Sequence, residues 1–201
     1  MRDLLPKKIN FKTSFPPLDT FPIILYIQNI MIDRVLIDTL NIRARDFTVK
    51  WVRKIRDIPE MKHYHKLTDE VLIEECKQIF PLLSNALDRG LNRSQVGSYF
   101  VNLGKQRLRG EFPVSEVIYA LNAAQKVVIE YIMTEFAPEN PMRMYQSLGA
   151  LTTVSEFFLM GSLYIIKGFL EETYTKMSSH DKETLEMFRK YFRDDFFFKK
   201  E

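Results

Sequence analysis

The chain has 201 residues, 46% of them hydrophobic, with 29 basic and 26 acidic side chains, a formal charge of +3 and one cysteine. Such a length favours one domain with an ordinary core, and near-balanced charge does not demand a polyanionic partner, so nucleic acid is not implied. A lone cysteine excludes an internal disulfide, and no charged and apolar leader with a cleavage site opens the chain, which reads as cytoplasmic.

Residues 1–20 carry Pro6, Pro16 and Pro17 and read as an arm, because proline removes backbone donors. From Phe21 the pattern is helical, which predicts an all-α domain over 21–178 followed by a C-terminal helix or tail over 179–201. Leu36, Leu40, Ala44, Phe47, Trp51, Ile55 and Ile58 recur every three or four residues and predict one apolar face ending near Pro59, with a kink near Asp33. After a loop, Thr68 is a good N-cap, and Asp69 and Glu70 suit the positive end of a helix. That helix is expected to bury Leu72, Cys76, Ile79, Phe80, Leu83 and Leu87 and to stop near Gly90, with Glu74 and Glu75 on its outer side.

Asn92 then caps a helix that carries Val96, Phe100, Leu103 and Arg107. Gly104, Arg107, Gly110 and Pro113 follow at three-residue spacing across the junction with the next helix. Gly110 is expected in the left-handed backbone that ends one helix and Pro113 in the first turn of the next, whose inner face is Val117, Leu121, Ala124, Val128 and Tyr131. Pro138 breaks the pattern, and Asn140-Pro141 restarts it as a cap and first helical residue. The helix predicted to run from there to Met177 is far longer than the roughly 8 to 20 residues usual in globular proteins. The whole is a bundle of about six helices with a long C-terminal helix.

Between Phe157 and Ile166 the long helix is apolar all round, so it needs cover on both sides, the core on one and a second subunit on the other. Gly149, Gly161 and Gly168 would admit a neighbouring helix. Phe157, Met160, Gly161, Tyr164 and Gly168 are the expected dimer interface. Neither Phe21–Ile32 nor Phe157–Ile166 reaches the roughly 20 residues of a membrane span, and no crossing is expected.

His63 and His65 stand two apart in a loop without a cysteine partner, which does not make a metal site. Cys76 falls on a buried face and reads as a small hydrophobe. There is no glycine-rich phosphate loop, nucleophile elbow or HExxH, so no catalytic apparatus is visible and neither an enzyme nor a cofactor is expected. The basic residues Arg43, Arg45, Lys50, Arg53, Lys54 and Arg56 occupy faces left free by Phe47, Trp51 and Ile55 and read as a solvated helix surface. Arg107 shares a face with Phe100 and Leu103, and a half-buried arginine needs a partner, either a carboxylate of the same fold or an acidic small ligand. Trp51, Tyr64, Phe80, Tyr99 and Arg107 are the candidate lining of an internal pocket.

Trp51, Tyr64-x-x-Leu67 before an acidic helix start, then Gly104-x-x-Arg107-x-x-Gly110-x-x-Pro113 and a leucine-rich helix, together resemble the N-terminal sensory domain of RsbT co-antagonist (RsbR and RsbRD) proteins. Similar domains precede some histidine kinases. The likeness covers residues 30–177. It implies a haem-free, globin-related helical bundle, dimeric, that receives a signal in a bacterial stress response and passes it to an output domain. Those relatives continue into an output domain whereas this sequence stops after one further helix, so the expected output, if any, is either a protein in trans, a kinase or an anti-sigma regulator, or a domain lost from this sequence. The reading from residues and resemblance together is a non-enzymatic homodimeric sensory or regulatory module that passes on a helix rearrangement induced by an unidentified small ligand or a partner. A ligand-free helical adaptor and a haem-binding globin-like sensor are the alternatives.

Overall fold

Helices form here where the apolar spacing predicts them, but the partners they find divide them differently. The computed structural model describes residues 34–137 and 141–177, the side chain of Met142 excepted. Chain contacts divide the sequence after Met31, and the described residues belong to the unit Ile32–Glu201. The expected arm at 1–20, the helical pattern of 21–33 with its kink near Asp33, the Pro138 break, the Asn140 cap and the expected C-terminal helix or tail over 179–201 lie outside the described residues.

Among the described residues all regular structure is helical. The stripe expected to make one helix ending near Pro59 makes two, α1 (Arg34–Ile42) and α2 (Ala44–Arg56), separated at Arg43. The physical reason is that the stripe serves two surfaces: α1 packs on the later helix α5, and α2 on α7. A buried Ser84 hydroxyl donates to the Ile37 carbonyl at 3.1 Å and accepts from Asn41 at 2.7 Å, tying α1 to α5. Trp51 donates through Nε1 to the Ala120 carbonyl at 2.7 Å and ties α2 to α7. A short turn, α3 (Lys62–His65), follows.

The helix predicted from Thr68 to Gly90 is also two, α4 (Asp69–Cys76) and α5 (Ile79–Arg89), with a bend at Lys77 and Gln78. The predicted signals are in place at both ends. Thr68 accepts from the Val71 N–H at 3.4 Å, and Gly90 ends α5 with φ of 83°, a conformation easy only for glycine. α6 (Arg93–Arg109) starts on Asn92, which accepts from the Gln95 N–H at 3.1 Å.

The corner after α6 departs from expectation in two respects, for Pro113, expected in the first turn of the next helix, stands just before it with an extended ψ of 136°, and the left-handed residue is not Gly110. Gly110 has an ordinary φ of −81°, and the left-handed residue is Glu111 at φ 61°. Glu111 N–H bonds to Leu108 and Phe112 N–H to Arg107, both at 3.0 Å, the paired hydrogen bonds of a Schellman ending whose left-handed position falls one residue later than predicted. Pro113 then precedes α7 (Val114–Tyr131) as its cap residue. α7 runs into a π-helical turn, Ile132–Phe136, and the last described helix, α8 (Pro141–Met177), has 37 residues as the sequence predicts.

α8 lies along α6 at backbone contact. A Cβ added at Gly104 would collide with the Ile165 carbonyl, and one at Gly168 with the Val101 carbonyl. A Cβ at Gly161 would come within 2.9 Å of the Phe100 ring, and one at Gly97 within 2.9 Å of Tyr164. Glycines on both helices thus make room for the other. Past this contact Arg109 holds Glu172 with two bonds, 2.9 and 2.8 Å, and Lys105 reaches Glu171 at 2.6 Å.

Two outcomes follow. Gly168→Ala, despite the better helix propensity of alanine, lowers unfolding free energy by about 2 kcal/mol or more, because rigid backbone must move. Gly110→Ala, whose Cβ meets the Phe112 ring at 3.3 Å and the Arg107 carbonyl at 3.6 Å, changes it far less; urea denaturation compares the two. The Arg109 hydrogen bonds hold the Glu172 carboxyl below its ordinary value of 4.5. Its stabilisation is therefore complete above the ordinary carboxylate range and is lost as pH falls through the lower folded value. Melting temperature against pH falls less steeply on that acid side in Glu172→Gln.

Candidate functional site

α6 carries Arg107 inward near its C-terminal end, where a charged side chain needs compensation. The residue is 7% exposed. Its Nη2 donates to Glu75 Oε2 of α4 at 2.5 Å, and the guanidinium carbon lies 4.7 Å from the Phe112 ring centre and 5.3 Å from that of Tyr64. The partner is thus a carboxylate of the same fold. The Nε of Arg107 is buried without a hydrogen-bond partner.

A small cavity opens beside this guanidinium. Trp51, Tyr64, Tyr99 and Arg107 line it as expected, with Glu75 and Cys76 of α4 on one wall. Apolar side chains from α5 to α8 complete it, Ile165 among them. Phe80, expected in the lining, is instead in the core, its ring 5.4 Å from that of Phe47. The space for centres of water-sized molecules is about 30 Å³, enough for roughly one or two waters and far below the few hundred Å³ of a typical organic ligand site.

Burial pushes the Tyr64 and Tyr99 phenols and the Cys76 thiol well above their ordinary values, against the opposing pull of Arg107. All three stay protonated at neutral pH, which removes Cys76 as a nucleophile in this conformation.

Two carboxylates at this end of the fold escaped the sequence reading. Glu75 is on the cavity wall and not on the outer side of its helix. The signal was its spacing, three residues after Leu72 and four before Ile79, both buried. Glu116 is buried, four residues before buried Ala120. It accepts from the His63 backbone N–H at 3.0 Å and faces His63 Nδ1 at 2.8 Å, closing the α2–α4 connection onto the start of α7. His65 faces the Ile55 carbonyl at 3.1 Å. Among the described residues no three His, Cys, Asp or Glu side chains converge as a metal site would require.

The basic surface of α2 is largely spent on ion pairs: Arg43 with Asp46 and Glu135, Lys50 with Glu135, Lys54 with Glu130, and Arg56 with Asp69. Hydrogen bonds from Lys50, then Arg43, hold the Glu135 carboxyl below its ordinary value.

The expected dimer interface needs correction. Phe157, Gly161 and Gly168 are buried in the protomer, where the glycines receive α6 of the same chain and not a second copy. Tyr164 is half-buried over Gly97, and Met160 is half-buried. The outward face of α8 lies elsewhere, at Met144, Tyr145, Leu148 and Leu159, exposed by 66, 64, 63 and 61%. The expected absence of a membrane-length segment also needs correction. The apolar stretch does not end with Phe157–Ile166: the 35 residues Arg143–Met177 of α8 are long and apolar enough to cross a membrane, with a third of their most apolar window buried in the protomer. Length and composition of this kind suit the core helix of a globular protein equally well.

Compared with known proteins, the chain matches no family model, no curated protein and no solved structure.

Arg107→Ala removes a charged hydrogen bond and the contacts with Tyr64 and Phe112, and is expected to cost about 2 to 3 kcal/mol in urea unfolding. Adding Glu75→Ala costs less than the sum of the single changes, because the carboxylate has already lost its partner.

Proposed function

We propose that this chain is a non-enzymatic sensory or regulatory module of the RsbT co-antagonist type, haem-free and globin-related, acting in the cytoplasm as a homodimer. The observation that carries the reading is the meeting of the Arg107 cavity with α8. Ile165 lines the cavity, and its carbonyl is the group packed against Gly104. A change at the cavity therefore reaches a helix of 37 residues that is seated on α6 by backbone contact. The signal is a shift between two helix arrangements, which a small ligand or a partner biases by binding one better than the other, and the output is a kinase or an anti-sigma regulator in trans. The outward apolar face of α8 around Leu148 is the surface through which two copies pair.

A ligand-free helical adaptor is the second reading, favoured by a cavity with room only for water. A haem-binding sensor is the third. It would have to open that cavity and release His63 from Glu116 or His65 from the Ile55 carbonyl.

Sedimentation velocity at tens of micromolar is expected to show a dimer that Leu148→Glu dissociates; a monomer throughout removes the dimer. Native mass spectrometry of freshly purified protein then looks for a bound small molecule, whose absence moves the chain to the adaptor. A Soret band on haem titration supports the third reading, and flotation with lipid vesicles removes the cytoplasmic one.

A further inference from the structure

The cavity beside Arg107 is closed on one side by α4, and α4 is poorly suited to be a permanent wall. It has eight residues, of which only Leu72 and Cys76 are buried. A helix that short has little stability of its own, so its attachments decide whether it stays.

Those attachments differ at the two ends. At the first, Arg56 donates to the Tyr64 carbonyl at 3.0 Å and to the Leu67 carbonyl at 2.6 Å, and its Nε and Nη2 reach Asp69 at 3.0 and 2.7 Å. Thr68 adds its cap. At the second end the side-chain tie to the body of the fold is Glu75 on Arg107. Glu74, the neighbouring acid, pairs only within its own turn, with Lys77. The Glu75 side chain is 33% exposed, so water can take over its hydrogen bonds when it leaves. Beneath it the Nε of Arg107 is unpartnered in the closed arrangement, so opening restores a hydrogen bond there.

We propose that α4 is a strap over the Arg107 cavity that opens locally, with Glu75 on Arg107 as its latch, exposing Cys76 and the guanidinium while α6 and α8 stay packed. Opening is an equilibrium between a closed form with room for water and an open one with room for more. It exists with or without a ligand, and so stands apart from the sensory reading.

Cys76 is the only cysteine in the chain, is on the strap, and is buried at the cavity, which makes its alkylation a direct report of opening. In the full chain, iodoacetamide labelling of Cys76 is measured against urea below the global transition. Local opening gives a rate that is flat in low urea before it joins the global unfolding limb. Glu75→Gln is expected to raise the flat limb about tenfold and Glu75→Ala further, with Glu74→Gln leaving it unchanged. Hydrogen exchange of peptides covering 69–76 rises in the same order while 93–109 stays protected, a readout independent of thiol ionisation. A labelling rate that follows only the global limb, equal acceleration by Glu74→Gln, or exchange of 69–76 only with global unfolding each overturns the strap.

Discussion

The rest of this structure depends on the contact between the backbones of α6 and α8. Gly104 faces the Ile165 carbonyl and Gly168 faces the Val101 carbonyl, so each helix yields a side chain to the other. Helices separated by ordinary side chains can slide by small rotamer changes, whereas backbone against backbone allows little slack. The order of elements around this pair follows from it. α7 packs against α8, α2 against α7, and α1 and α5 close the side.

The same contact fixes where charge can go inside the fold. With Gly104 pressed on α8, Arg107 one turn later is carried into the interior, where Glu75 is the one acid bonded to it among the described residues. Arg109, two residues on, turns outward to Glu172 on α8. One arginine thus organises a cavity and the other pins a helix pair, although they are of the same type on the same turn. Tyr64 and Phe112 complete the inner site by covering the guanidinium with ring faces, which favour a cation with few polar partners.

The long helix divides along its length. One face is consumed by α6 and α7, while the outward face near Met144, Tyr145 and Leu148 is apolar and exposed. The periodicity of an apolar helix reveals how much must be covered but not which face a given neighbour takes. That is why glycines read as openings for a second subunit turned out to hold the chain's own α6. For the same reason Leu36 to Ile58 read as one helix: the stripe is continuous, and only its division between α5 and α7 bends it at Arg43.

Local chemistry by itself determined much of this protein. The all-helical class, the caps at Thr68 and Asn92, the stop at Gly90, the start of α8 at Pro141, the buried Leu72, Cys76 and Phe80, and the inward Arg107 were legible, since each follows from spacing or from one side chain bonding its own backbone. Three lining residues of the cavity besides Arg107 were legible as inward aromatics, while Phe80 was not separable from them by pattern. Only the tertiary structure decided that Glu75 and Glu116 face inward, that the left-handed turn falls on Glu111, and that Gly161 and Gly168 meet α6. Each of these depends on a partner more than twenty residues away or on the path of a corner; spacing sets Glu75 beside a buried face, but it does not name the partner that draws the side chain in.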